Sequence, residues 1–382
     1  MSSKKHILIF IDWYLPGYKA GGPIRSCANF VDQLKDTFDF SIVSRDTDFG
    51  ERMPYPAIKA DAWIQTENGV RIFYLSHDNL KVKSIRHLLK GNYDALYLNS
   101  LFSFYFTLVP LWYKKRIKKC VLAPRGMFGP GALAIKPLKK SIFLSGSKIA
   151  GLFSDVKWQA SSDLEAQDIR KYMGQNVPIE IAPNLPPCKK IIFTEHQKKK
   201  NHLKLFFLSR ITPIKNLLLA MEYLEKIDSR YTVSLDIFGP IEDKTYADLC
   251  LRKADLINQN KQATLVNFRG PVENKNLDSV LSNYDCLLLP TANENFGHSI
   301  LESLALGCPV IISDQTPWRN LREKKIGWDI PLSRPDEFVK AIETLAGMDE
   351  KEFNELSLKA FKEAEAFYNN NELTEQNRKL FD

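Results

Sequence analysis

At 382 residues, with 44% hydrophobic and 26% charged residues, the chain is too long for one ordinary core, suggests two domains and excludes bulk disorder. Its 53 basic against 45 acidic residues give a net charge of +8, which invites a polyanion or a membrane surface, but no zinc-finger, RNP or helix-turn-helix signature accompanies the lysines, so nucleic acid is set aside. Cys27, Cys120, Cys188, Cys250, Cys286 and Cys308 form no CxxC pair, which points to a reducing, cytosolic compartment and away from a zinc site or a disulfide framework.

The first apolar run, 7–11, is too short for a secretory signal, lacks a small-residue cleavage site and reads as a first strand. The loop that follows, "IDWYLPGYKAGGPIRS", sets Gly21 and Gly22 before Pro23, a residue suited to the first helical position. Paired glycines admit close approach of an anion to a helix start, or they simply supply a permissive turn; GxGxxG is absent. After a strand at 39–43, "RDTD" (45–48) has a DxD spacing but is not assigned to a metal. The most hydrophobic stretch, "ALYLNSLFSFYFTLVPLWY" (95–113), approaches a transmembrane span in length, yet Asn99, Ser100, Ser103 and Pro110 interrupt it, and it parses as a buried strand followed by a helix. Basic residues cluster at 113–120, at Lys136, Lys139 and Lys140, and at 198–204. They are read either as solvated faces and a linker or, for the first two clusters, as contact with an anionic membrane surface.

Strands at 119–123, 156–159 and 179–182 and a helix at 163–173 complete the first half, and the Pro- and Lys-rich stretch 182–204 marks its end. In the second half, strands near 203–209, 232–238, 264–268, 285–289 and 309–313 alternate with helices near 214–227, 244–257, 275–282, 298–306 and 334–346. Continuous apolar strands such as "CLLL" and "PVII" suit parallel sheets covered on both faces. The fold predicted is α/β, two tandem Rossmann-like doubly wound domains, with bounds of 1–190, a linker at 191–204, a second domain at 205–360, and a helical tail at 361–382 that packs back on the first domain.

In such sheets chemistry belongs to the loops at the carboxyl ends of strands. "FLSRITPIKN" puts Arg210 at a strand end, Thr212 at an N-cap position and Lys215 in the first helical turn, where a cation is disfavoured unless an anion is bound; solvent-facing charges are the plainer reading. In "NENFGHSILE", Ser299 to Glu302 matches the capping box S-x-x-E, which needs no ligand, but capping leaves Glu294, Phe296, Gly297 and His298 unexplained.

"PTANENFGHSILESLALGCPVIISD" resembles the E-x7-E signature of family 4 retaining glycosyltransferases of the GT-B fold, bacterial cell-surface polysaccharide enzymes among them. "SRITPIKN", the Gly pair and "DLEAQDIRKY…IAPN" fall where that family has related segments, so the resemblance covers nearly the whole chain. The family's two domains face a cleft. What the resemblance implies is a hexosyltransferase-like enzyme that moves a sugar from a nucleotide-diphosphate-sugar, with retention and without a metal or other cofactor, to a glycan or lipid-linked glycan on the cytoplasmic side of a membrane. Arg210 and Lys215 would hold the diphosphate and Glu302 the ribose, with Ser299 at the helix start facing phosphate. Glu294 would lie beside the donor sugar, near Phe296, Gly297 and His298, and "FRGPV" (268–272) would meet the base. Arg125, in "APRGMFGPG", stands where many relatives have a histidine touching the donor sugar; either it meets a different sugar or phosphate group, or that role is absent. A nucleotide-sugar epimerase of the same architecture and a non-catalytic sugar-nucleotide-binding partner of another transferase are the alternatives.

Overall fold

The computed structural model describes residues 4–134, 137–260 and 263–382, so Lys136 of the second basic cluster lies outside the described residues. Two compact units divide the chain, Met1–Cys188 together with Asn370–Asp382, and Lys189–Asn369.

The first unit runs β1 (Lys5–Phe10), α1 (Gly22–Leu34), β2 (Phe38–Arg45), β3 (Trp63–Gln65), β4 (Arg71–Leu75), α2 (Val82–Leu88), β5 (Ala95–Leu98), α3 (Val109–Tyr113), β6 (Lys119–Leu122), α4 (Pro130–Ala134), α5 (Pro137–Ile149), β7 (Lys157–Ala160), α6 (Asp163–Met173) and β8 (Ile179–Ile181). Its sheet order is β3-β4-β2-β1-β5-β6-β7-β8, parallel except for β3, which pairs antiparallel with β4. The buried spacing Ile24, Cys27, Phe30, Val31 and Leu34 shows why α1 forms and which stripe it turns to the sheet. The hydrophobic stretch at 95–113 is β5 followed by a π-helical turn, Phe104–Leu108, that runs into α3. No helix among the described residues is long and apolar enough to cross a membrane.

The second unit runs β9 (His202–Leu208), α7 (Leu217–Glu225), β10 (Thr232–Phe238), α8 (Lys244–Asn260), β11 (Thr264–Gly270), α9 (Leu277–Leu281), β12 (Cys286–Leu289), α10 (His298–Ala305), β13 (Val310–Ser313), α11 (Leu321–Lys324), β14 (Gly327–Ile330), α12 (Pro335–Gly347) and α13 (Glu350–Tyr368). Its six strands are all parallel in the order β11-β10-β9-β12-β13-β14. Numbered within the unit this is 3-2-1-4-5-6, the dinucleotide-fold order, whose reversal falls between β9 and β12. All four residues of β12 and of β13 are buried, as strands covered on both faces require. Residues 189–201 form no strand or helix yet group with this unit: the rings of Phe193 and Phe361 lie 5.4 Å apart, and the His196 amide donates to Asn354 Oδ1 at 2.8 Å.

After α13 the chain returns to the first unit as α14 (Asn371–Arg378) and a final turn, Lys379–Phe381. Phe381 is buried there among the rings of Phe30, Phe38 and Tyr97, at centroid distances of 6.0, 5.7 and 5.5 Å.

Candidate functional site

In the second unit the order reversal makes the loops after β9 and β12 neighbours at the carboxyl edge. Main-chain and side-chain bonds tie them together: the Ala292 amide donates to the Ile214 carbonyl at 2.8 Å, and Thr291 Oγ1 to the same carbonyl at 3.2 Å. Lys215 is thereby carried to Glu294. Its Nζ donates to Glu294 Oε2 at 2.6 Å and to the Asn293 carbonyl at 3.3 Å, with the two side chains 10% and 19% exposed. So little solvent means weak screening, so the attraction is strong but is set against the cost of desolvating both groups.

The local helix geometry differs from the sequence-based expectation. Pro213–Lys215 is a separate 3₁₀ turn, Asn216 is left-handed at φ 53, and the α-helix starts only at Leu217. Asn216 tolerates that conformation and sends its Nδ2 to the Pro290 carbonyl at 2.9 Å, a second tie between the two loops. The Thr212 side chain makes no cap bond.

Arg210 lies on the same loop but pairs elsewhere, its Nη1 forming an ion pair with Glu242 Oε2 at 2.8 Å. The segment after β10 is laid against it: the Ile211 amide donates to the Pro240 carbonyl at 2.9 Å, and the Glu242 amide to the Ile211 carbonyl at 3.2 Å. Gly239 permits this approach, because a Cβ there would stand 1.9 Å from the Ser209 carbonyl oxygen. No sequence motif marks Glu242, which only this strand-end pairing brings beside Arg210. Behind it, Asp236 accepts from Asn267 Nδ2 at 2.8 Å, Arg269 Nε at 2.8 Å and the Tyr284 hydroxyl at 2.6 Å. Burial pushes this carboxyl up, but the three donors outweigh it and hold the acid below its ordinary value.

The capping box expected at Ser299 and Glu302 does not form in the way its spacing suggests. Helix α10 begins at His298, where the apolar periodicity places it, so its N-cap is Gly297, two residues before Ser299, left-handed at φ 84 and with no side-chain cap. A glycine meets this need, since few side chains adopt that backbone and a Cβ there would lie 2.7 Å from Ile300 Cδ1. Ser299 is the second helical residue, among the amides that the helix leaves unpaired. His298 and Glu302, four apart and part-exposed, share one face, whereas Ile300, Leu301, Leu304 and Ala305 are buried. Phe296 is buried 4.8 Å from the His298 ring and 5.7 Å from Phe367, and its carbonyl accepts from Trp318 Nε1 at 2.6 Å. The Glu294 amide donates to the Gln315 carbonyl at 2.9 Å, so the loop bearing both residues is pinned to the strand end of β13.

In the first unit, Gly21 is the N-cap of α1 at φ 72 with no side-chain cap, and Gly22 and Pro23 open the helix. The loop before it is gathered by Asp48 of the "RDTD" segment, whose carboxylate accepts from the Tyr18 amide at 2.9 Å and the Phe49 amide at 2.7 Å. Arg125 stands at φ 53 beyond β6. Its guanidinium donates to Asn184 Oδ1 and Asn99 Oδ1, each at 2.5 Å, and to the Tyr97 hydroxyl at 2.8 Å. The Tyr97 hydroxyl donates to Gln159 Oε1, and Gln159 Nε2 donates to the Ala182 carbonyl at 2.9 Å. Burial raises the Tyr97 hydroxyl to about 12 despite the arginine beside it. Glu165, buried on α6, accepts from the Gly126 amide at 2.6 Å and the Ser161 amide at 2.8 Å, and so fixes the turn that presents Arg125.

Two doubly wound α/β units with these strand orders define the GT-B fold class, and solved structures agree. Anabaena Alr3699/HepE in complex with UDP and glucose matches with a TM-score of 0.70 at 13% identity over 98% of each chain. Sucrose-phosphate synthase from Thermosynechococcus elongatus matches at 0.72 and 15% over 99% of this chain and 98% of that one. WaaG, a glycosyltransferase involved in lipopolysaccharide biosynthesis, matches at 0.66 and 14% over 98% of each. At these identities the likeness is one of fold. Residues 189–362 match the family model "Glycosyl transferases group 1", a span that holds Arg210, Lys215, Glu294 and Glu302. Comparison with curated protein sequences finds no match.

Proposed function

We propose that this protein is a glycosyltransferase that moves a sugar from a nucleotide-diphosphate-sugar to a glycan or lipid-linked glycan, with retention of anomeric configuration and without a metal. The observation that supports this most is the Lys215–Glu294 pair at the β9/β12 order reversal, inside the segment that matches the transferase family model. Open parallel sheets bind ligands at that reversal.

In this reading Lys215 and Arg210 face the diphosphate as it leaves. Transfer of a glycosyl group leaves growing negative charge on the pyrophosphate and an oxocarbenium-like sugar. A pre-positioned ammonium stabilises that charge with little reorganisation, and Glu294 keeps it positioned. Arg210 offers a fork that suits two phosphate oxygens, and Glu242 orients it before donor arrives. The uncapped start of α10 adds the amides of its first turn, with Ser299 toward phosphate, Glu302 on the ribose, and Phe296, Gly297 and His298 near the sugar. In the first unit Gly21 and Gly22 offer a second helix start, and Arg125 a fixed cation that meets a sugar or phosphate group. The six free cysteines fit a reducing cytoplasmic setting at the inner face of a membrane.

Because related folds were solved with UDP and glucose, UDP-glucose is the first donor to test in a panel of nucleotide sugars. The reading expects thermal stabilisation by one donor, transfer to an acceptor in the presence of EDTA, and a product with the donor's anomeric configuration by NMR. Inverted product or EDTA-abolished turnover would remove those two features. Conversion of the donor to its C2 epimer without acceptor would instead make the protein an epimerase.

A further inference from the structure

We propose that α5 is an interfacial helix that lies on an anionic lipid bilayer. Leu138, Ile142 and Ile149 are 76%, 67% and 89% exposed, although they are large aliphatic residues. At about 100° per residue their spacing places them within roughly 40° of one another, so they form a single stripe along the helix. The opposite side is anchored: Leu144 and Ser147 are buried, and the Phe143 ring meets Phe102 edge-on at 5.6 Å. The stripe therefore points outward by construction.

Charge selects the occupant. Lys139 and Lys148 flank the stripe, at roughly 80° and 100° from its centre. Between Asp94 and Asp155 the sequence contains no acidic residue and ten lysines and arginines. On the preceding segment Phe104 and Trp112 are exposed and meet edge-to-face at 6.0 Å, and Trp112 is followed by Lys114, Lys115, Arg116 and Lys118. An apolar stripe edged by lysines, in a stretch of sequence that also carries an exposed aromatic pair and a basic run, has the chemistry of a helix that buries its stripe at the acyl boundary while its ammonium groups reach lipid phosphates. A second copy on the same face would oppose Lys139 and Lys148 with their own counterparts, which disfavours self-association.

Vesicle sedimentation of the full chain tests this without any sugar donor, so its outcome is independent of the transferase reading. The wild type is expected to sediment with vesicles of phosphatidylcholine and phosphatidylglycerol in equal parts, to remain largely in solution with phosphatidylcholine alone, and to dissociate as salt is raised. Leu138→Ser, Ile142→Ser and Ile149→Ser combined should lower the partition coefficient at least about tenfold with an unchanged melting curve, since the three side chains touch little of the fold. Lys139→Ala with Lys148→Ala should lower it about fivefold per lysine on the mixed vesicles alone. The proposal fails if the wild type ignores mixed vesicles, if the triple variant binds as well as wild type, or if the stripe instead supports a dimer, seen in vesicle-free solution and dissolved by the triple variant.

Discussion

Lys215 donates to the carboxylate of Glu294 across 2.6 Å, although 79 residues separate them. The two sides of that pair have different tasks in the proposed chemistry, and substitutions separate them. Lys215→Ala leaves a poorly solvated carboxylate without its partner, at a cost of about 1–3 kcal/mol in stability. Its turnover should fall by about 10²–10³ while nucleotide diphosphate affinity falls much less. Single-turnover kinetics and calorimetry read the two effects apart, and equal losses in both would contradict a role confined to the departing diphosphate. Glu294→Gln keeps an acceptor for the ammonium but removes its counter-charge, so it too should melt below wild type, by about 1–3 kcal/mol.

Arg210 is held by Glu242 at 2.8 Å, so an incoming diphosphate competes with a carboxylate for the same guanidinium. Both side chains are about one-third exposed, which keeps the competition modest. Glu242→Gln should therefore tighten calorimetric binding of free nucleoside diphosphate by about two- to fivefold, the scale of a part-exposed ion pair. Weaker binding would mean that Glu242 positions the arginine rather than rivals the ligand.

The start of α10 yields a contrast between adjacent positions. Ser299 is the second helical residue and makes no cap, so Ser299→Ala should shift the melting temperature by less than about 2 °C, whereas loss of a capping side chain costs about 1 kcal/mol. Gly297→Ala puts a side chain at φ 84 and against Ile300, and should destabilise by about 1–3 kcal/mol in denaturant melts.

Acid should expose the Asp236 network. Because the folded-state carboxyl is held below its ordinary 3.8 by Tyr284, Asn267 and Arg269 against the opposing effect of burial, its contribution is present above that ordinary value and is lost as pH falls through the folded-state value. The stability difference between wild type and Asp236→Asn should thus be full at neutral pH and shrink below about pH 4. A difference constant down to strongly acidic pH would place the effect in packing instead.

Phe381 anchors the chain's return to the first unit among three aromatic rings. Phe381→Ala should cost about 3–5 kcal/mol, the range for a fully buried phenylalanine. Thermal melting of full-length protein measures it; a shift of a degree or two would show that the last turn contributes little to the first unit.

Much of this architecture is legible one residue after another. Runs such as "CLLL" and "VIIS" announce strands buried on both faces, and the spacing of Ile24, Cys27, Phe30 and Leu34 announces a helix with one sheet-facing stripe, because burial periodicity is a local property of the chain. The short β3 and β14 escape such reading, since "WIQ" is largely exposed, "GWDI" is buried only at its two ends, and both are too short for a period to show. Caps are hidden for the same kind of reason: Asn216 and Gly297 take left-handed backbone that depends on their surroundings, so α7 starts three residues late and leaves Lys215 outside it, while α10 starts where its periodicity says but is capped by Gly297 and not by Ser299. The glutamates of "NENFGHSILE" and the cations of "SRITPIK" are visible as residues, but not their partners. Only the strand order, which sets β9 beside β12 and β10, decides that Lys215 meets Glu294 and Arg210 meets Glu242. Sequence determined which segments would bury and which loops would carry charge; tertiary structure decided which charges are neighbours, because pairing across 79 residues follows from sheet topology and not from spacing along the chain.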